Sequence, residues 1–286
     1  MNWIDDWLSL LFEPVSIAVL SEPASMKRGV LAVTCLMLLW GLNWLINGER
    51  SDNAFVPEDD LNSRQTGDPG IAKVLTVRKI VTFEHSFEVT GEARRPIGGF
   101  LRDGRDQRDD PVLFAVLWAA AACNDAELVE GRKYVDLIGD PVEGALLVAA
   151  AKWGIRRATI DLEMPRLATF SSRVDSTRKS VARHWEDEVR LFVTGLPLAV
   201  VPQCTFIRTQ NGSQPMTSDH LSALILANIE MAAEVNDVLA IAEKVLDHVP
   251  DHALTSIDPS ELERNLVFLG LIGLQDSSKE RFEIPR

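Results

Sequence analysis

Cysteine is scarce in this sequence. There are three, Cys35, Cys123 and Cys204, an odd number spread far apart. That argues against a disulfide scaffold and fits a reducing compartment. Positive charge is scarce as well: 29 lysines and arginines stand against 42 acidic residues, for a net charge of -13. No basic stripe offsets that balance, so binding to nucleic acid, which needs phosphate-neutralising cations, is excluded as a main function. No cysteine lies near His248 and His252, and Pro250 between them argues against a shared helical face, so a zinc site has no support. Ser171 and Ser172 have no histidine and acid partners in a recognisable order. Repeats and low-complexity segments are absent.

What is present would suit two domains, or one large domain with additions. In the first twenty residues Trp3, Ile4, Trp7, Leu8 and Leu11 recur at helical spacing, giving an amphipathic face that suits either a membrane interface or a core. From Gly29 to Ile46 the chain is uncharged and largely apolar. At about 1.5 Å per residue that run spans about 27 Å, near the roughly 30 Å hydrocarbon core. A single membrane span is the reading adopted, with a buried helix as the alternative. Lys27 and Arg28 before it and Arg50 after it give the positive-inside rule only a slim preference for a cytoplasmic N-terminus. Residues 1–50 are therefore expected to form amphipathic and membrane-anchor helices, and residues 51–72, rich in Asp, Asn, Ser and Gly, a linker.

Beyond the linker, Lys73 to Phe83 reads as a strand. Residues 84–110 carry turn signals and mixed charge and read as a solvated loop. Pro111 opens an almost wholly apolar helix running to Ala122, and Leu128 to Leu137 contains a short extended segment. Val142 to Trp153 forms a second apolar helix, with Gly154 at a capping position. Strands are expected at Phe170 to Val174, Ser180 to His184 and Val189 to Val193. Thr217 can cap a helix to about Glu234 with Leu221, Leu224, Ile225, Ile229 and Ala232 on one face. Val238 to Ala242 reads as a strand or the start of a further helix, and Leu266 to Leu274 as a buried final strand able to pair with the early one. The fold class expected is α+β, a mostly antiparallel sheet packed by helices, preceded by a hydrophobic helix.

Two phrases within these elements carry more than local structure: Cys123-Asn124-Asp125-Ala126, and Gly139-Asp140-Pro141-Val142-Glu143-Gly144-Ala145-Leu146-Leu147. Together with Leu75 to Ile80, with Val89-Thr90-Gly91 followed by Pro96 to Phe100, and with Asp175 to Ser180, they resemble, in order, the nucleotide-binding domain of cation-transporting P-type ATPases. The resemblance covers residues 75–276 and assigns 73–276 to such a domain, with 277–286 as a tail. It implies an adenine groove. By position it places Glu143 near the adenine amino group and Lys179 toward phosphate. It puts Val174 where the family has a stacking aromatic, Thr194 where it has a lysine, and Asp237 where it has an arginine. Each position has a plainer reading: Glu143 as an acid in a helix's first turn, Lys179 as a solvated surface lysine. Valine has no π face, Thr194 has no charge, and Asp237 repels phosphate.

The same resemblance implies what the chain lacks. The family's Asp-Lys-Thr-Gly-Thr, which supplies the phosphorylated carboxylate, falls where this sequence reads Arg64-Gln65-Thr66-Gly67-Asp68. Covalent phosphoryl transfer needs that acid with its magnesium. The expectation is a truncated pump-like protein with a degenerate nucleotide-binding domain, unable by itself to form an aspartyl phosphate or transport ions. Its alternatives are a weak ATP sensor and a regulatory subunit docked on an intact cation pump. ATP binds weakly at most, and magnesium enters only as its counter-ion. The protein is expected at a membrane, single-pass through residues 29–46, with the large domain cytoplasmic and the orientation left open.

Overall fold

A computed structural model describes residues 74–130, 134–171, 177–246, 254 and 257–277. The expected anchor helices, the linker and the tail beyond Ser277 lie outside these residues, as does Val174. No described helix is long and apolar enough to cross a membrane.

The described chain forms an α+β fold. The first strand, β1 (Leu75–Val81), runs antiparallel to the last, β13 (Leu266–Asp276), with Leu75 opposite Asp276 and Ile80 opposite Ile272. The early and late apolar runs therefore pair as their composition suggested. Residues expected as a loop instead continue the sheet: β2 (Ser86–Val89), β3 (Phe100–Arg102) and β4 (Arg105–Asp106). The missed signal in β2 is Ser-Phe-Glu-Val, whose Phe87 and Val89 are buried while Ser86 and Glu88 are exposed, a period of two in a very short strand. Asp103 and Gly104 both take positive φ, 52° and 74°, the two-residue turn that Asp-Gly favours in hairpins.

The first helix, α1 (Pro111–Ala122), is capped by Asp110, whose side chain accepts the N–H groups of Val112 and Leu113 at 2.9 Å each. The chain then makes a two-stranded ribbon, β5 (Glu127–Glu130) with β6 (Val135–Ile138). The second helix, α2 (Pro141–Trp153), ends at Gly154 in the left-handed conformation. A third helix, α3 (Arg157–Glu163), was not anticipated. Three antiparallel strands follow, β7 (Arg166–Ser171), β8 (Arg178–Trp185) and β9 (Glu188–Gly195).

After the short helix α4 (Pro197–Val200) come β10 (Cys204–Thr209) and β11 (Gly212–Pro215). The long helix α5 (Ser218–Glu234) is capped by Thr217. Residues 238–242 belong to a strand, β12 (Asp237–Leu246), and a one-turn helix, α6 (Pro259–Leu262), precedes β13. The sheet order is β4-β3-β2-β1-β13-β12-β9-β8-β7, with β10 parallel to the first half of β13.

Two cores lie on the two faces of this sheet. One packs α1 and α2 against Val77, Ile80, Val181, Phe192, Ile241 and Ile272. The other packs Leu224 and Met231 of α5 against Leu191, Val193, Ala240 and Leu271. The face expected for α5 is only partly right. Leu224 is buried and Leu221 and Ile225 are half-buried, but Ile229 and Ala232 are exposed, because the helix meets only the middle strands and buries a narrow stripe that also takes in Met231.

Candidate functional site

The two sequence phrases are stapled to each other. Asp140 caps α2, accepting the N–H groups of Val142 at 2.8 Å and Glu143 at 3.1 Å. An acid at the third helical position ordinarily reaches back to the cap's own N–H. Glu143 reaches instead across to the loop after α1: its Oε2 accepts the N–H groups of Asp125 at 2.7 Å and Ala126 at 3.1 Å. Asn124 is fully buried and ties the same two segments, donating Nδ2 to the Glu143 carbonyl and accepting the Ala126 N–H, both at 2.9 Å. Gly139 has φ 112°, and a Cβ there would stand 3.1 Å from Ala126 Cα, so glycine permits both the turn and the close approach.

Charge completes the staple. Lys179 Nζ lies 2.5 Å from Glu143 Oε1 and 2.6 Å from Asp125 Oδ2. Arg166 pairs with the other Asp125 oxygen and donates to the Asn124 carbonyl at 2.6 Å. Partial burial works against ionising Asp125, but its hydrogen bonds to Arg166 and Lys179 win and lower its pKa to about 2. Burial likewise opposes the charge on Lys179, and its hydrogen bonds to Asp125 and Glu143 outweigh it, so its pKa lies above the ordinary value. The ammonium is a compact point charge with three donor directions, and two of them are taken by carboxylates.

Neighbouring groups hold this lysine in place. Arg178 and Ser180, either side of it on β8, both bond buried Glu263, at 2.5 Å and 2.7 Å. Fully buried Arg183, further along β8, donates to the Ala122 carbonyl at the end of α1, to Asp161 and to the Met164 carbonyl, each at 2.8 Å. Cys123 packs beneath the cluster. Burial pushes its thiol up to about 11 against the pull of Lys179, which leaves it unreactive.

The structure thus brings together three of the five residues singled out from sequence. Glu143 and Lys179 touch, and Thr194 is the cross-strand neighbour of Lys179 on β9. The Thr194 hydroxyl is buried against the Cys123 thiol. Asp237 is exposed at the start of β12, four residues before Ile241, which pairs with Thr194. At about 3.3 Å per residue it lies about 13 Å further along the same face. Val174 is outside the described residues. The plain reading of Lys179 as a solvated surface lysine is corrected: two carboxylates hold it, and its side chain is 21% exposed. Sequence reading missed Asn124, Asp125 and Arg166 as partners. The first two stood inside a recognised phrase, whereas no local pattern marks Arg166. Among the described residues no group of three or more His, Cys, Asp or Glu is placed to hold a metal ion.

Comparison with known proteins bears on the whole domain. Residues 113–281 match the family model described as P-type ATPase, cytoplasmic domain N. The cation-transporting ATPase pma1 of Synechocystis sp. is 30% identical over 210 residues, which cover 71% of this chain and 22% of that protein. The endoplasmic reticulum calcium ATPase srcA of Aspergillus fumigatus is 25% identical over 241 residues, covering 71% of this chain and 25% of that protein. A calcium-transporting ATPase of Bacillus subtilis is 25% identical over 283 residues, covering 95% of this chain and 30% of that protein. The chain therefore spans between a fifth and a third of the length of these relatives. With the stapled phrases and the sheet that carries them, these matches show that the chain belongs to the P-type cation ATPase family, through its cytoplasmic domain N.

Proposed function

We propose that this chain is a degenerate nucleotide-binding domain, one that keeps the family fold while binding ATP weakly and forming no aspartyl phosphate by itself. One observation carries this reading. Lys179, the cation that the resemblance directs toward phosphate, is held by Asp125 at 2.6 Å and Glu143 at 2.5 Å. A triphosphate must compete with both carboxylates for it. Thr194 brings no charge to the same face, and Asp237 brings a negative one. Charge-assisted hydrogen bonds are worth about 1.5–3 kcal/mol each. Two missing cations therefore account for a loss of two to four orders of magnitude in affinity. Glu143 is also engaged, with one oxygen on two backbone amides and the other on Lys179. Its recognition of an adenine amino group would have to share those oxygens. Magnesium enters this reading only as the counter-ion of bound ATP.

Calorimetric titration with magnesium-ATP tests the proposal. The expected result is a dissociation constant in the millimolar range or no saturable heat. Micromolar binding would overturn it. A second assay addresses chemistry: incubation with labelled ATP should leave the protein without an acid-stable, hydroxylamine-sensitive acyl phosphate. In this reading the natural partner is an intact cation pump, met through the fold and not through nucleotide. Copurification with a full-length pump, unchanged by ATP, would support that partner, and recovery only in the presence of ATP would count against it.

A further inference from the structure

A cleft of about 520 Å³ lies over the outer strands β1, β2 and β3, walled by the end of α5 and the β3–β4 turn. Its origin is a β-bulge. Val77 and Ile80 both belong to the core under α1 and α2, although they are three residues apart. The pairing with β13 slips by one between Val77 and Lys79. The two residues between these anchors, Arg78 and Lys79, therefore both line the opposite side, where regular alternation would have sent one of them inward. Arg102 of β3 joins them in the lining, and its Nη1 is buried with no hydrogen-bond partner among the described residues.

We propose that this cleft is a binding site for a phosphate group, free or carried as a monoester on a small molecule. Two guanidinium forks and an ammonium converge on one cavity, the donor set that suits a doubly charged tetrahedral oxyanion. The cavity falls within the usual range for small-ligand sites and is far larger than inorganic phosphate alone, which leaves room for an organic body. Acids also line it. Glu88 faces Lys79 across the β1–β2 ladder, and Asp103 sits in the turn. Glu234 holds Lys79 at 2.6 Å, but its side chain is 56% exposed at the last residue of α5, so a phosphate oxygen can take its place by a simple side-chain rotation. Arg78 donates to the Gly91 carbonyl at 3.2 Å, which steadies it at the wall. The site lies on the face of the sheet opposite α1 and α2, and it does not depend on the reading of the Glu143–Lys179 cluster.

Titration of the full chain with inorganic phosphate and then phenyl phosphate, at constant ionic strength, tests this. Saturable binding in the low millimolar range or tighter is expected, with amide shifts at Arg78, Lys79 and Arg102 to Gly104. Arg102→Gln should weaken binding at least tenfold. Glu234→Gln, an exposed change that leaves the fold intact, should strengthen it severalfold by releasing Lys79. Tighter binding of phenyl phosphate identifies an esterified ligand, and equal binding identifies free phosphate; both support the site. Absence of saturation would overturn it. So would shifts centred on residues 123–126, 143 and 179, or an affinity that Glu234→Gln leaves unchanged.

Discussion

The Glu143–Lys179 cluster and the β1–β3 cleft occupy opposite faces of one sheet, and both are lined by charge. At the cluster the charges close on one another. Two acids, a lysine, an arginine and a buried asparagine satisfy each other across four segments of chain. At the cleft the charges surround a space, and one buried guanidinium nitrogen has no described partner. The difference follows from what covers each face. Helices α1 and α2 descend onto the first face and bring Glu143 and the 123–126 loop down onto β8. On the second face α5 packs over β12 and β13 and ends at Glu234, beside the cleft. In the proposed reading, a position that the resemblance directs at ligand is held by its own neighbours, while a bulge elsewhere borders an open polar hollow.

Substitutions sharpen that contrast, and the largest effect belongs to the covered face. Arg183→Leu should destabilise the protein by about 3–5 kcal/mol, because it leaves buried partners without their cation. At the cleft, Arg78→Gln should cost less than about 1 kcal/mol. Urea denaturation of the two variants measures the gap. Next in size, Lys179→Met should cost about 1–3 kcal/mol by stranding Asp125 and Glu143, whereas Lys79→Met, which breaks an exposed pair with Glu234, should fall within about 1 kcal/mol. Comparable losses for the two lysines would erase the distinction between the two faces.

Lys152 lies between the two regions and gives a pH signature. It is buried and donates to the Thr90 carbonyl at 2.8 Å. Burial, helped by the charge of Arg78, lowers its pKa from 10.5 to about 8. The unfolded chain therefore binds the extra proton between these values, and stability rises as pH increases from about 8 toward 10.5. The rise should be at most about 3 kcal/mol, and Lys152→Met should flatten it. Asp125 gives a smaller signature of the same sense at the acid end. Its pKa is depressed from 3.8 to about 2 by Arg166 and Lys179 against the cost of burial, so its contribution is full above pH 3.8 and disappears as pH falls through 2. Asp125→Asn should remove that part of the acid transition.

Much of this architecture was legible in the residues. The apolar runs of α1 and α2, the caps at Gly154 and Thr217 and the pairing of β1 with β13 all follow from composition and spacing. Short strands were not legible: β2 has four residues and β4 two, too few for alternation to stand out from mixed-charge sequence. The bulge at Arg78 hides in Val-Arg-Lys-Ile, which reads as ordinary strand until the partner strand shows the slip. At the candidate site, position in a recognised phrase found Glu143, and Lys179 followed from the looser one. The state of those residues was not accessible, because it depends on Arg166 and Asp125 meeting them from segments distant in sequence. Burial of α5 was overestimated for a related reason: helical period identifies an apolar stripe, but the width that is covered depends on how many strands lie beneath it.

The central claim is that the family's phosphate-facing position is neutralised by its own neighbours. It is tested most directly by measuring magnesium-ATP affinity in the wild-type chain and in the double variant Thr194→Lys, Asp237→Arg. The account predicts millimolar or undetectable binding for the wild type and a gain of at least tenfold in the variant, as cations return to the face that Lys179 shares. Micromolar binding by the wild type, or a folded variant with no gain, would contradict it.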